Sequence, residues 1–442
     1  MQQVNVGLIG GGTVGGGVFR ALDRNGDLLA ARTGVRIRVH RVAVKAFDEP
    51  RKVAIPESML TTDWRAVVED SGVDVVAELA GGTTVAREMI LTALRLGKPV
   101  VTANKALLSA HGEALFAAAA KAGTNLYYEA SVAGGIPIIK ALRDGFVGNR
   151  IPHLYGIVNG TCNYILTRMQ QEGAGFDEVL KEAQRLGYAE AEPSLDIDGW
   201  DSQHKVGILA SLAHGFWVRP DQIHVEGIRG VTPLDIRFAG QLGYTIKLLG
   251  VVKSVPDRRS ERTGGEAPVV VAVYPALVPN AHVLASVQDA FNAVFVRGDL
   301  VGDTLFYGRG AGQDPTASAV LSDLVDAARD WIHQTPRRIP PFVPHASKGR
   351  VLPLADAVSR YYVRLAVVDR PGVLARVAAI LGRNRIGISS VIQPEGHPGG
   401  SVPLILMIHD APNRSMARAL RQMGRLAAVK APPVVLRVET FA

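Results

Sequence analysis

Five carboxylates and one lysine crowd into a single short stretch, residues 187–205, Gly-Tyr-Ala-Glu-Ala-Glu-Pro-Ser-Leu-Asp-Ile-Asp-Gly-Trp-Asp-Ser-Gln-His-Lys. Glu190, Glu192, Asp196, Asp198 and Asp201 could hold an ammonium group, while Lys205 could give up a proton. Asp201 and Lys205 stand four apart where an apolar helix begins, so they share one face. An acid in that first turn also suits the positive end of the helix dipole. Taken alone, the stretch reads more readily as a solvated acidic loop with an ordinary ion pair. The rest of the chain has to decide.

Three other residues could do chemistry. Lys105 follows the apolar strand Val100-Val101-Thr102, and ligands of doubly wound sheets gather at the carboxyl ends of strands. Glu129 emerges from an expected strand at 126–131, and a carboxylate buried there needs a cation, an arginine or backbone amides. Cys162, the single cysteine, opens a helix but has no histidine nearby in sequence to activate it, so packing is its expected role.

The elements that must position these groups begin at once. Val4–Gly10 reads as a buried strand running into Gly10-Gly11-Gly12-Thr13-Val14-Gly15, with an apolar-periodic helix from Val14 to about Ala31. This is the G-x-G-x-x-G pattern in its required context of strand, turn and helix. Gly10 permits the turn, Gly12 lets backbone approach a pyrophosphate, and Gly15 allows helix and strand to pack closely. Further strands are expected near 36–44, 74–80, 98–103 and 126–131, with helices near 63–70, 84–96 and 109–122. The second strand ends in Val44-Lys45-Ala46, where an acid would select NAD. A cation there suits a 2′-phosphate, so NADP is expected, with NAD left open.

Beyond residue 150 the rhythm changes to a mixed α+β pattern, and Lys253–Pro268 looks like an exposed connection. A second glycine-rich turn, Gly308-Arg-Gly-Ala-Gly312, precedes a helix that Asp314 or Thr316 could cap. Prolines recur at 340, 341, 344 and 353, as in a linker. After it comes a β-α-β-β-α-β pattern with Asp369-Arg370-Pro371-Gly372 at its first helix. The boundaries expected are a Rossmann-like doubly wound dinucleotide domain at 1–132 and an α+β catalytic and dimerisation domain at 133–335. Its helix 315–330 returns to the first domain. A linker at 336–356 and a ferredoxin-like module at 357–442 complete the chain.

Composition narrows the function classes. With 442 residues, 47% hydrophobic and 20% charged, the chain is globular and multidomain. The net charge of +8 comes from basic residues scattered along the sequence, so no nucleic-acid stripe is visible. One cysteine, no secretory n-region and no long apolar run make a soluble, cytoplasmic protein the expectation, with no membrane partner.

Six motifs in order, Gly-Leu-Ile-Gly-Gly-Gly-Thr-Val-Gly, Thr-Ala-Asn-Lys, Glu-Ala-Ser-Val-Ala-Gly-Gly-Ile-Pro, Asn-Gly-Thr-Cys-Asn-Tyr-Ile, the acidic stretch and Gly-Arg-Gly-Ala-Gly, resemble those of homoserine dehydrogenases across residues 1–350. Glu192, where that motif often has Asp, and the extra Gly11 are the small departures. The resemblance implies NAD(P)H-dependent reduction of L-aspartate 4-semialdehyde to L-homoserine, in threonine, methionine and isoleucine synthesis. It makes Lys105 and Lys205 the catalytic lysines, with Lys205 the proton donor. It implies Glu190, Asp201, Gly160, Thr161, Tyr188 and Asp196 as substrate residues. Gly10, Gly12, Thr13, Val14, Gly15, Lys45, Lys105, Gly187, Gly310 and Gly312 would then meet the cofactor. Glu129 with the backbone of Val132, Gly134 and Ile136 is similar to that family's monovalent cation (Na⁺) site. The last module resembles an ACT domain, which implies L-threonine as effector and a homodimer or homotetramer. The competing reading is a catalytically silent nucleotide and amino-acid sensor.

Overall fold

A computed structural model describes residues 2–255, 267–336, 338–394 and 400–441, so most of the expected connection at 253–268 lies outside the described residues. Two compact units are present. The first comprises residues 1–154, 204–220 and 291–349, the second 155–203, 221–290 and 350–442.

The first unit is built on strands β1 (Gln2–Ile9), β2 (Val35–Ala43), β3 (Leu60–Thr61), β4 (Val75–Glu78), β5 (Val100–Thr102) and β6 (Leu126–Tyr127). Their order is β3-β2-β1-β4-β5-β6, and every pairing is parallel. This is the dinucleotide-binding order, with the chain reversing direction between β1 and β4. The strands are Val- and Ile-rich because a parallel sheet is covered on both faces. Helix Thr13–Thr33 follows the glycine loop and ends at Gly34 in the left-handed conformation.

Three local expectations are corrected. Helix Lys105–Lys121 starts four residues earlier than its apolar period suggested, because the Asn104 side chain accepts from the Leu107 amide and caps it. The strand expected over 126–131 stops at Tyr127, and Glu129–Ser131 forms a 3-10 turn instead. Helix Gln313–Ile332 is preceded by Gly312 with no side-chain cap. Asp314 pairs with Arg20 rather than capping that helix.

Helix Gln313–Ile332 packs into the core of the first unit, where Ala317, Val320 and Leu324 join Val6, Leu8, Val18 and Leu22. The helix also carries acids that fasten neighbouring segments. Asp330 accepts from Tyr127 Oη at 2.6 Å, and Asp326 pairs with Lys140. Strands Phe291–Gly298 and Gly302–Arg309 form an antiparallel pair in the same unit. The proline-bearing stretch expected as a linker is tied to the first unit at several of its described residues. Ile339 and Pro341 carbonyls accept from Asn125 and Tyr128 side chains, and His345 and Ala346 amides donate to Gly215 O.

In the second unit, strand Tyr244–Ser254 pairs antiparallel with Val269–Pro279. The C-terminal module adds strands Val358–Val368, Ile388–Ile392, Ser401–Pro412 and Val434–Val438, with helices Val373–Arg383 and Asn413–Gly424. Within the module the spatial order is 434–438, 358–368, 401–412, 388–392, the ferredoxin-like arrangement. Its last strand also runs parallel to 269–279, pairing Ala276 with Arg437 and Leu277 with Val438. A buried ion pair adds to this seam. Arg364 donates to Asp235 through Nε at 2.6 Å and Nη2 at 2.9 Å, and Tyr362 Oη donates to the same carboxylate.

Asp235 is fully buried, so removing it strands the Arg364 guanidinium in a low-dielectric seam. Asp235→Ala is expected to cost about 3 kcal/mol or more, read as a lowered denaturation midpoint. An unchanged midpoint would show the pair to be dispensable.

Candidate active site

The glycine loop has the geometry a phosphate requires. Gly10 has φ +109, and a Cβ there would lie 2.7 Å from Leu79 O. A Cβ on Gly15 would reach 1.8 Å from Gly10 O, whereas one on Gly12 would meet nothing within 4 Å. Gly10 and Gly15 are therefore fixed by packing, and Gly12 faces the open space at the helix N-terminus, beside Thr13 and Val14. Lys45 is exposed just past β2. Arg51, unnoticed in the sequence, reaches back there, donating to Ala46 O at 3.1 Å and Phe47 O at 2.7 Å.

Sequence reasoning also missed Glu78. It ends β4 fully buried, accepting from the Ala80 and Gly81 amides at 3.0 Å each and from Thr102 Oγ1 at 2.7 Å. Asn104 completes the arrangement by donating to Gly82 O at 2.7 Å. These bonds tie the loop after β4 to the loop after β5 and so hold the start of the helix whose first residue is Lys105. A glutamate closing an apolar strand just before Gly81-Gly82 was the available signal.

Glu129 finds backbone partners. Its two carboxylate oxygens accept from the Ile139 and Lys140 amides at 2.9 and 2.8 Å, and its own amide donates to Asp323 at 2.7 Å. Burial pushes the Glu129 carboxyl up, opposed by those amides, and raises Asp323 to about 7. Ala133 and Gly134 are both left-handed, at φ 55 and 51, which turns the chain sharply beside Glu129. The Ile136 carbonyl is taken by Ile138 N, whereas those of Val132 and Gly134 accept no hydrogen bond among the described residues. A Cβ on Gly134 would lie 2.4 Å from Gly310 O, so the second glycine turn, through Gly310 to Gly312, closes on this loop.

In the second unit a single side chain gathers two of the five carboxylates, Asp196 and Asp201. Asn159 caps helix Gly160–Glu172 through Oδ1, which accepts from Cys162 N at 2.8 Å. Its amide nitrogen donates to Asp196 Oδ1 at 2.7 Å and to Asp201 Oδ2 at 2.9 Å. Asp201 is buried in the first turn of helix Trp200–His214; Lys205, four residues on along the same helix, is also buried and falls in the first unit. Thr161 Oγ1 donates to Tyr188 O at 2.7 Å, and the Tyr188 ring stacks on Tyr164. Gln184 donates to the Glu190 carbonyl at 3.0 Å, which holds the loop after Gly187 while the Glu190 side chain stays exposed. Glu192 and Asp198 are occupied structurally. Glu192 accepts from Ser194 N, and Asp198 pairs with Arg229. Cys162 is buried, with Sγ 3.2 Å from Asp196 O.

Comparison with known proteins matches residues 10–129 to the NAD-binding domain model of homoserine dehydrogenase and residues 137–325 to the homoserine dehydrogenase model. A homoserine dehydrogenase of Pseudomonas aeruginosa is 44% identical over 99% of this chain and 99% of its own length. The chain belongs to the homoserine dehydrogenase family. It is accordingly an NAD(P)-dependent oxidoreductase that interconverts L-aspartate 4-semialdehyde and L-homoserine. The crystal structure of a homoserine dehydrogenase from Thiobacillus denitrificans superposes with a TM-score of 0.91 at 43% identity, covering 100% of this chain and 99% of that one. A hyperthermophilic archaeal homoserine dehydrogenase in complex with NADPH matches with a TM-score of 0.60 at 25% identity. It covers 74% of this chain and 98% of its own.

Asn159 donates to two carboxylates, so Asn159→Ala removes a donor that holds Asp196 and Asp201 together. Steady-state kinetics should show the homoserine KM rising about ten-fold, with cofactor affinity unchanged. An unaltered KM would mean that these carboxylates do not meet the substrate.

Proposed function

We propose that Lys205 is the proton donor for semialdehyde reduction, that Lys105 assists it, and that the carboxylates bind the substrate ammonium. The observation that supports this reading is helix Trp200–His214, which carries Asp201 and Lys205 one turn apart, with Asp201 held by the Asn159 amide. A bound nicotinamide would supply the hydride. Negative charge then develops on the aldehyde oxygen, where the Lys205 ammonium stabilises it and protonates it. Asp201 and Glu190 hold the substrate's α-ammonium, with Asp196, Gly160, Thr161 and Tyr188 lining the same place. Gly187, Gly310 and Gly312 meet the cofactor together with the first glycine loop.

NADPH is the proposed preferred cofactor, supported by Lys45 and by Arg51 held over the end of β2. A monovalent cation, Na⁺ by preference, fits the Val132 and Gly134 carbonyls at the left-handed turn beside buried Glu129. The C-terminal module is proposed as an ACT domain answering to L-threonine, in a homodimer or homotetramer. Among the described residues no helix is long and apolar enough to cross a membrane; a cytoplasmic location is part of the same proposal.

Lys205→Ala should lose roughly 100-fold or more in kcat while its NADPH dissociation constant stays near normal. Near-normal turnover would remove Lys205 from the mechanism. The same absorbance assay, run with NADPH against NADH, with Na⁺ replaced by a bulky ammonium and with threonine titrated, addresses the other assignments. KM favouring NADH, or indifference to Na⁺ or to threonine, would each overturn the corresponding one.

A further inference from the structure

The chain's excess positive charge is not spread evenly. Residues 357–442 carry twelve Lys and Arg against four Asp and Glu, a net of +8 that equals the charge of the whole chain. The first 356 residues are therefore balanced. The sequence disguises this concentration, because no two of the basic residues are adjacent and those at 414, 418, 421 and 425 are separated by three or four positions. On helix Asn413–Gly424 that spacing places Arg414, Arg418 and Arg421 on one face, and the helix contains no acid at all. Like charges at i,i+4 destabilise a helix, so such a face is costly unless something anionic meets it.

The same three arginines line a cleft of about 600 Å³ within the second unit, together with Arg437 and His224. Its floor is apolar and rigid. Met416, Leu420 and Val435 line it, and Tyr361 Oη donates to Asn413, which in turn donates to Leu354 O and Ala357 O. The nearby acids are already committed, Asp356 to Arg414 and Glu226 to both Arg437 and His224. Arg418 and Arg421 are exposed and have no carboxylate partner among the described residues.

We propose that this cleft binds a small phosphate-bearing organic anion of nucleotide size. Arg418 and Arg421 grip the phosphates through the planar fork that suits bidentate contact. The apolar floor takes the organic body, and the volume lies in the range of small-molecule sites. The site is separate from the Asp369-Arg370-Pro371-Gly372 turn, since none of those residues lines it. It does not depend on the assignment of Lys205.

Calorimetry on the full chain, with one equivalent of NADPH bound so that the glycine loop is occupied, tests this with ATP and pyrophosphate as probes. We expect one ATP per chain, bound more tightly than pyrophosphate. The double variant Arg418→Ala/Arg421→Ala should weaken ATP about ten-fold or more. Arg425→Ala, which alters a nearby arginine outside the cleft, should leave it unchanged. Absence of ATP binding, equal weakening by Arg425→Ala, or pyrophosphate binding as tightly as ATP would each overturn the proposal. So would a single-stranded oligonucleotide that binds the module and displaces ATP at lower concentration, because the surface would then serve nucleic acid.

Discussion

The first unit depends on the close approach of two helices far apart in sequence. A Cβ on Gly17 would lie 2.7 Å from the Gln313 side chain and 3.3 Å from Ala317 Cβ, so only glycine admits helix Gln313–Ile332 at this distance. Through that contact the late helix completes the core around β1 and brings buried acids with it. Asp323 receives the Glu129 amide, and Asp330 receives Tyr127 Oη and Arg338 Nε. Burying these carboxylates is unfavourable unless each finds donors. The partners they find fix the chain from β6 to the turn at Ala133 and Gly134.

Polar side chains play the corresponding part within each unit. Glu78 and Asn159 each satisfy donors or acceptors from segments distant in sequence, and neither needs to touch a substrate to matter. Glu78 joins the loops after β4 and β5, and Asn159 joins a helix start to two carboxylates. In both cases one buried side chain, with every polar atom used, ties together segments distant in sequence.

Much of this was legible in the sequence. The glycine fingerprint and the strand–helix alternation led to the dinucleotide-binding sheet, and the ordered motifs led to the family. What stayed hidden has a common cause. Apolar periodicity reports burial, so it passed over Asn104 and began the helix too late, and it extended β6 through Glu129 because Ala130 and Val132 are also buried. Proline content suggested a linker and could not show that two of its carbonyls, Ile339 and Pro341, accept from Asn125 and Tyr128, partners more than 200 residues away. Arginines that look scattered along the chain become one face only when a helix brings them round.

The last strand, Val434–Val438, has two neighbours, one in its own module and one, Val269–Pro279, in the preceding sheet. The module is thus the closing stave of that sheet and not a pendant on a tether. Cutting the chain ahead of the module would bare part of the backbone edge of an almost wholly buried, Val-rich strand. Such an edge recruits other chains and aggregates. The module is therefore joined to the preceding strand by backbone hydrogen bonds as well as by the chain. By the same seam, an evolutionary loss of the module would require that strand to acquire a new cover.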